Sequence, residues 1–174
     1  MAAAGRKRLW LGSVTENIVR QAEVPVFVAR QKQHKFINSS DPTSVPGLAT
    51  ILCPVNFTDT ARAALQHAVS LAQQFQARLV TPCIVEPSAP QAVAVARQEL
   101  AAWLAEAGVG QCEIEPLARK GQAAEQIVAL TGKLKADLVV LGAKRRSSLK
   151  SWPWGDTTEM VLRHAPAPVL VVPS

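Results

Sequence analysis

A chain of 174 residues, 48% of them hydrophobic, is long enough for one α/β domain and a further segment. Nineteen Lys and Arg against 13 Asp and Glu give a net charge of +6, which favours anionic partners but also fits an ordinary, mildly basic surface. No apolar run reaches about 18 residues, so we expect no membrane span or membrane partner. The three cysteines, Cys53, Cys83 and Cys112, form no CxxC pair and lie in apolar runs, which indicates reduced core thiols of a cytoplasmic protein.

The chain begins with a segment that it repeats at its end. Residues 12–28 align with residues 155–171 at a constant offset of 143. The identical pairs are Gly12/Gly155, Thr15/Thr158, Glu16/Glu159, Arg20/Arg163, Ala22/Ala165, Pro25/Pro168, Val26/Val169 and Val28/Val171. We interpret residues 1–29 as the last helix and strand of a second domain copy, and the polar residues 30–48, which contain Pro and Gly, as a linker. The alternatives are that residues 1–48 are disordered or that the coding sequence begins upstream.

Residues 49–174 alternate between strand and helix patterns. Apolar runs predict strands at residues 50–55, 77–85, 112–118, 136–143 and 168–172. Amphipathic or alanine-rich stretches predict helices at residues 58–76, 91–108, 122–135 and 157–165, with Thr58 or Asp59 as the N-cap of the first. This alternation indicates one α/β domain, in which helices cover both faces of a five-stranded parallel sheet.

The expected ligand site lies beyond the carboxyl ends of the strands, at the point where the strand order reverses. If the first and fourth strands are neighbours, one crevice is flanked by their ends and by the start of the last helix. The candidate residues are Pro54, Val55, Asn56, Gly142, Ala143, Arg145, Arg146, Gly155, Asp156 and Thr157. A glycine before a helix suits a phosphate, although both glycines also fit simple turns and the basic loop also fits a solvated surface.

Catalysis and metal binding are not indicated. The three histidines have no Cys or carboxylate partners at ligand spacing, and no Ser-His-Asp or Cys-His arrangement stands out. We therefore predict that the protein is not an enzyme and holds no metal. Nucleic-acid binding is also disfavoured, because the positive charges are spread along the chain without a recognition helix or an aromatic platform.

Four stretches, "ILCPVNFTDTARAAL", "KGQAAEQIVAL", "ADLVVLGAKRRSSLK" and "EMVLRHAPAPVLVV", carry a resemblance to a universal stress protein domain over residues 49–174. Residues 9–29 resemble the tail of a second such domain. The whole chain is thus similar to a tandem universal stress protein that lacks most of its first half. The resemblance implies an adenine nucleotide alpha hydrolase-like fold and ATP or AMP as the ligand of the crevice.

The residues of the crevice depart from the signature of the nucleotide-binding members, which is Gly, two residues, Gly, nine residues, Gly and then Ser or Thr. Gly142 and Gly155 match its first and third glycines. Arg145 replaces the second glycine, Asp156 replaces the hydroxyl residue, and Asn56 replaces an aspartate. An Arg side chain fills space that a phosphate needs. Asp156, which we expect to be the N-cap of the last helix, would occupy helix N–H donors. Its carboxylate would also repel an anion about 4 Å away by about 4 kcal/mol at an effective dielectric of 20.

These departures predict a stress-response binding or regulatory module that acts through oligomerisation, with nucleotide binding weakened or lost. The alternative is an ATP- or AMP-binding member that holds the phosphates with Arg145 and Arg146. If the strand order follows that of the family, the last strand is an apolar edge of the sheet, and such edges pair with other strands. We expect the strand that begins at Pro25 and ends at Ala29 to pair antiparallel with the strand from Pro168 to Val172, in the same chain or a neighbour's, as part of a homo-oligomer, a dimer.

Overall fold

A six-stranded sheet organises the computed structural model, which describes residues 18–19, 21–29, 47–85, 92–109, 112–144 and 155–173. The strands are β1 (Val26–Val28), β2 (Thr50–Leu52), β3 (Arg78–Val85), β4 (Ile114–Lys120), β5 (Leu138–Ala143) and β6 (Val169–Pro173). The helices are α1 (Asp59–Phe75), α2 (Ala92–Glu106), α3 (Ala123–Lys133) and α4 (Asp156–His164). This architecture confirms the α/β fold class expected from the alternating pattern.

The strand order in the sheet is β1-β6-β5-β2-β3-β4. Strands β2 to β6 run parallel, and the chain builds outward from β2 to β3 and β4 before it returns to β5 on the other side of β2. The order therefore reverses between β2 and β5, so a gap opens between the connections that leave their carboxyl ends.

Each face of the sheet carries its own hydrophobic core. On one face, α1 and α2 pack on Ile51 and Cys53, and on the other, α3 and α4 pack on Leu52 and Val80. Because successive strand residues point to opposite faces, a strand that is buried on both sides must be apolar throughout, as the sequence of β5 is. None of the helices within the described ranges combines the length and apolar character that a membrane crossing requires.

Strand β2 is shorter than the strand that the pattern predicts at residues 50–55. Regular pairing of β2 ends at Leu52, because Pro54 has no backbone N–H to donate to a ladder. The chain nevertheless stays beside β3, since the N–H of Val55 donates to the carbonyl of Pro82 at 3.0 Å. At the start of β2, the carboxylate of Asp137 accepts the N–H groups of Ala49 and Thr50, both at 2.9 Å, and fixes β2 against the beginning of β5.

The N-terminal segment closes one edge of the sheet. Strand β1 pairs antiparallel with β6 of the same chain, and Val26, Phe27 and Val28 face Val171, Leu170 and Val169. Ahead of β1, residues 18, 19 and 21 are helical, and Val19 is fully buried in the core that contains α3 and α4. The edge strand of the parallel sheet is therefore hydrogen-bonded within the chain.

The cysteines are unpaired thiols whose reactivity is suppressed by their surroundings. Burial raises the pKa of Cys53 from 9.0 to about 12. Burial, and then the nearby Glu99 carboxylate, raise the pKa of Cys83, and burial raises that of Cys112. Cys53 and Cys83 lie in the core as expected, whereas Cys112 is only half-buried at its margin. None is a thiolate at neutral pH.

We expect the Cys53 thiol to make the folded state sensitive to alkaline pH. Between about pH 9 and about pH 12 the unfolded chain releases this proton and the folded chain retains it, so the free energy of unfolding falls as the pH rises. The stability difference between the wild type and Cys53→Ala should narrow from about pH 8 to about pH 11, as measured by urea unfolding. The control, Cys112→Ala, should lose less of the wild-type pH dependence than Cys53→Ala does, because the Cys112 thiol is only half-buried. Equal slopes for all three chains would contradict the prediction.

Candidate functional site

The carboxyl ends of β2 and β5 lie side by side, as the sequence predicts. Leu52 pairs with Val139, and Val55 and Gly142 each follow this pair by three residues on their own strands. Asn56 follows Val55 as an exposed residue, and Ala143 is buried at the end of β5. This edge therefore brings together the first half of the candidate set: Pro54, Val55, Asn56, Gly142 and Ala143.

Gly142 is a glycine because helix α1 leaves no room for a side chain. It lies inside β5, paired with Val172, so its interpretation as a turn glycine is wrong. A Cβ atom added here would lie 2.2 Å from the carbonyl oxygen of Thr60 and 2.8 Å from the amide nitrogen of Ala61. The first turn of α1 thus touches the backbone of β5, and this contact demands a glycine whether or not a ligand binds.

A chain of hydroxyl groups fixes the side chain of Asn56. The Thr58 hydroxyl donates to Asn56 Oδ1 at 2.7 Å and lies 3.0 Å from the Thr60 hydroxyl. The same Thr58 oxygen caps α1 by accepting the N–H of Ala61 at 3.3 Å, so Thr58 is the N-cap. Since a hydroxyl has one proton, Thr60 is the donor to Thr58. Asn56 is therefore held as a neutral group with amide N–H donors, which a carboxylate would lack.

An aromatic contact that sequence reasoning missed holds the loop carrying Asn56. Phe57 has φ of 61°, a left-handed conformation that is strained for a phenylalanine, and it is 36% exposed. Its ring meets Trp103 of α2 edge-on at 5.9 Å, and the Arg62 guanidinium lies 5.1 Å from the centre of the Trp103 ring. No periodic pattern marks these three residues, because they come from a loop and two helices.

Helix α4 begins with a glycine cap, which corrects the expectation that Asp156 is the N-cap. Gly155 is the N-cap with φ of 85°, a conformation that side chains disfavour, and it has no side chain to accept the first helical N–H groups. Asp156 is instead the first helical residue and is exposed, as is Thr157. Further along the helix, Glu159 accepts from Arg163 Nε at 2.8 Å. The helix start thus lacks a side-chain cap from Gly155 and carries a carboxylate in its first turn.

The two basic candidates, Arg145 and Arg146, lie outside the described residues. Lys144, which precedes them, is exposed just after β5. Among the ranges that the structure covers, no group of three or more His, Cys, Asp or Glu side chains could hold a metal ion. The described part of the site therefore comprises the Asn56 amide, the glycine-capped start of α4 and the Asp156 carboxylate.

A separate groove lies at the opposite edge of the sheet. It has a volume of about 760 Å³ and lies between the end of α1 and the start of β4. Arg78 and Cys112 line it, and the Nε of Arg78 donates to the carboxylate of Glu115 at 2.8 Å. Because that guanidinium is already neutralised, and because the groove is remote from the strand-order reversal, we do not assign it as the functional site.

Comparisons with known proteins agree on one family. Residues 48–173 match the family model described as "Universal stress protein family". A curated universal stress protein from Synechocystis sp. is 29% identical over 136 residues, which cover 71% of this chain and 85% of that protein.

Two solved structures show the same fold. One is a universal stress protein from Archaeoglobus fulgidus, with a TM-score of 0.72 and 23% identity. The match covers 98% of this chain and 59% of that one, so this chain spans about three-fifths of its length. The other is a universal stress protein in complex with cAMP, with a TM-score of 0.60 and 23% identity over 72% of this chain and 97% of that one.

The contact between α1 and β5 predicts that Gly142→Ala destabilises the chain. The added methyl group must displace the first turn of α1, and overpacking of this kind costs about 1–3 kcal/mol of unfolding free energy. Urea unfolding measures the change. A matched control is Gly132→Ala in α3, where the added Cβ meets only Pro166 Cγ at 3.7 Å. That variant should gain about 0.5–1 kcal/mol, and wild-type stability in Gly142→Ala would contradict the account.

Proposed function

Because this chain belongs to the universal stress protein family, we propose that it is a non-enzymatic stress-response module that acts through binding and oligomerisation, with nucleotide binding weakened. The distribution of charge at the carboxyl edge of the sheet carries this proposal. Asn56 is neutral where the family signature has an aspartate, and Asp156 adds a carboxylate in the first turn of α4.

The Asp156 carboxylate acts against an anionic ligand in a specific way. A helix N-terminus attracts anions through its free N–H groups and its dipole, so a phosphate and a side-chain carboxylate compete for the same donors. Two unit charges about 4 Å apart repel by about 4 kcal/mol at an effective dielectric of 20. A repulsion of that size is enough to reduce micromolar affinity to millimolar affinity.

The second candidate function is ATP or AMP binding through the altered loop. One structural observation favours it: the N-cap of α4 is a glycine without a side chain, so no capping group at that position competes for the helix donors. The solved universal stress protein in complex with cAMP offers a precedent for a nucleotide on this fold. In this alternative Arg145 and Arg146 neutralise both the phosphates and Asp156.

The non-enzymatic part of the proposal rests on the chemistry of the described side chains. Burial raises the pKa of all three thiols, which makes them poor nucleophiles at neutral pH. Unpaired cysteines are also typical of a reducing compartment, which supports the cytoplasm as the proposed location. We further propose homo-oligomerisation through the edge strand of residues 168–172, which residues 25–29 cover within the chain.

Nucleotide titration separates the two functions. By isothermal titration calorimetry, we expect the wild-type chain to bind ATP weakly, with a dissociation constant near or above about 1 mM. Asp156→Ser should raise the affinity about tenfold, since removing the repulsion recovers at least about 1.4 kcal/mol. Because the effect is electrostatic, the gain should be largest for ATP, smaller for AMP and absent for adenosine.

The control is Glu125→Ser, which removes an exposed acidic residue from the first turn of a different helix, α3. It should change the affinity less than twofold, since Glu125 does not lie at the strand-order reversal. Micromolar ATP binding by the wild type would establish the alternative function. No change in Asp156→Ser would mean that the carboxylate does not govern the site, and the proposed cause of weakened binding would fail.

A further inference from the structure

The ladder between β1 and β6 is symmetric with respect to the internal repeat. Adding the repeat offset of 143 to Val26, Phe27 and Val28 gives Val169, Leu170 and Val171. In the ladder Val26 pairs with Val171 and Val28 pairs with Val169. The two pairs exchange under the repeat, and the central pair, Phe27 with Leu170, maps onto itself. The ladder therefore has a pseudo-twofold axis through its central pair.

A symmetric register means that β6 is complementary to its own sequence. A second copy of the chain could present its β6 to the same edge in the same register, with Leu170 opposite Leu170 of the second copy. The repeat makes β1 an apolar equivalent of that strand, because two of its three residues, Val26 and Val28, are identical to their counterparts. β1 and a second β6 therefore compete for one edge.

The N-terminal segment buries only some of the residues whose repeat counterparts are buried in the C-terminal domain. Val19 is 0% exposed, and its counterpart Leu162 is 2% exposed in the same core. By contrast, Ile18 is 55% exposed, whereas its counterpart Val161 is 0% exposed. Val24 is 66% exposed, and its counterpart Ala167 is 2% exposed. The segment thus buries the side chains that face β6 and α4 but leaves exposed the ones that a sheet of its own would cover.

We infer that residues 18–29 form an edge cover, an intrachain competitor that keeps β6 closed to a second copy of this chain. Release of the edge cover permits a twofold dimer in which β6 pairs with β6. This inference rests on the oligomerisation part of the proposed function, for which it names the regulatory element. It does not depend on whether the crevice binds a nucleotide.

The linker between the edge cover and β2 favours intrachain pairing over pairing with a second copy. The edge cover is joined to β2 through residues 30–48, a linker of 19 residues, which gives an effective concentration of about millimolar. A second copy at micromolar concentration is therefore outcompeted, even though its β6 comes with an α4 and a sheet already folded on it. Weakening the edge cover should shift the balance to the dimer without any change in β6.

The experiment weakens the edge cover and measures the mass of the full chain by light scattering. Val28→Asp places a charge at a ladder position that is 8% exposed, and it should convert a monomer into a dimer at micromolar concentration. The matched control is Ala29→Asp, an exposed neighbour outside the ladder, which should stay monomeric. Adding Leu170→Lys to Val28→Asp should restore the monomer, because two lysines then meet across the axis.

Engineered disulfides keep the inference testable if a substitution unfolds the chain. In a Cys112→Ser background, Phe27→Cys with Leu170→Cys should form an intrachain bond and lock the monomer, since facing residues of an antiparallel pair lie about 4.5–5.5 Å apart. Leu170→Cys combined with Val28→Asp should instead yield a covalent dimer. Both products are distinguished on a non-reducing gel.

Two outcomes would overturn the inference, and they differ in what they say about the proposed function. If the locked chain dimerises, oligomerisation stands but uses another surface, and the edge cover controls nothing. If neither the locked chain nor Val28→Asp associates at up to about millimolar concentration, oligomerisation through β6 fails together with its control.

Discussion

The backbone hydrogen bonds along the outer edge of β6 are the constraint on which the organisation of this chain depends. A parallel sheet buried on both faces ends in an apolar strand whose unpaired N–H and C=O groups invite another strand. This chain satisfies them with β1, a strand of nearly the same sequence, in a register that mirrors β6 about Phe27 and Leu170. The helical residues before β1 then reach the core under α4, where Val19 is fully buried.

A second constraint, the close approach of α1 to β5, shapes the candidate site. The carbonyl of Thr60 lies where a side chain of residue 142 would project, so the first turn of α1 and the end of β5 are positioned together. The Thr58 cap and the Asn56 side chain follow from that position. The site is therefore a consequence of packing at the strand-order reversal, and its glycine has a structural role independent of any ligand. The proposed weakening of nucleotide binding rests on two residues of this site, the neutral Asn56 and the acidic Asp156.

The sequence was sufficient to predict the order and type of the elements, because apolar runs and helical periods are local signals. It was not sufficient where a long-range contact decides the outcome. The contact that requires Gly142 joins β5 to Thr60, which lies 82 residues earlier in the chain (142 minus 60). The cluster of Phe57 with Trp103 depends on how α2 packs. The N-cap of α4 was misplaced by one residue, since Asp is a preferred cap and the positive φ of Gly155 has no sequence signature of its own. Strand β2 ends earlier than predicted for a local reason, because Pro54 has no backbone N–H to donate.

The central claim is that β1 and β6 pair within one chain, and isotope-filtered NMR tests it most directly. Cross-strand nuclear Overhauser effects between Val26 and Val171, or between Phe27 and Leu170, should appear in a uniformly labelled sample. They should vanish from the filtered spectrum of an equal mixture of labelled and unlabelled chains, which reports contacts between molecules alone. Effects that persist in the filtered spectrum, or that are missing from both spectra, would contradict the account.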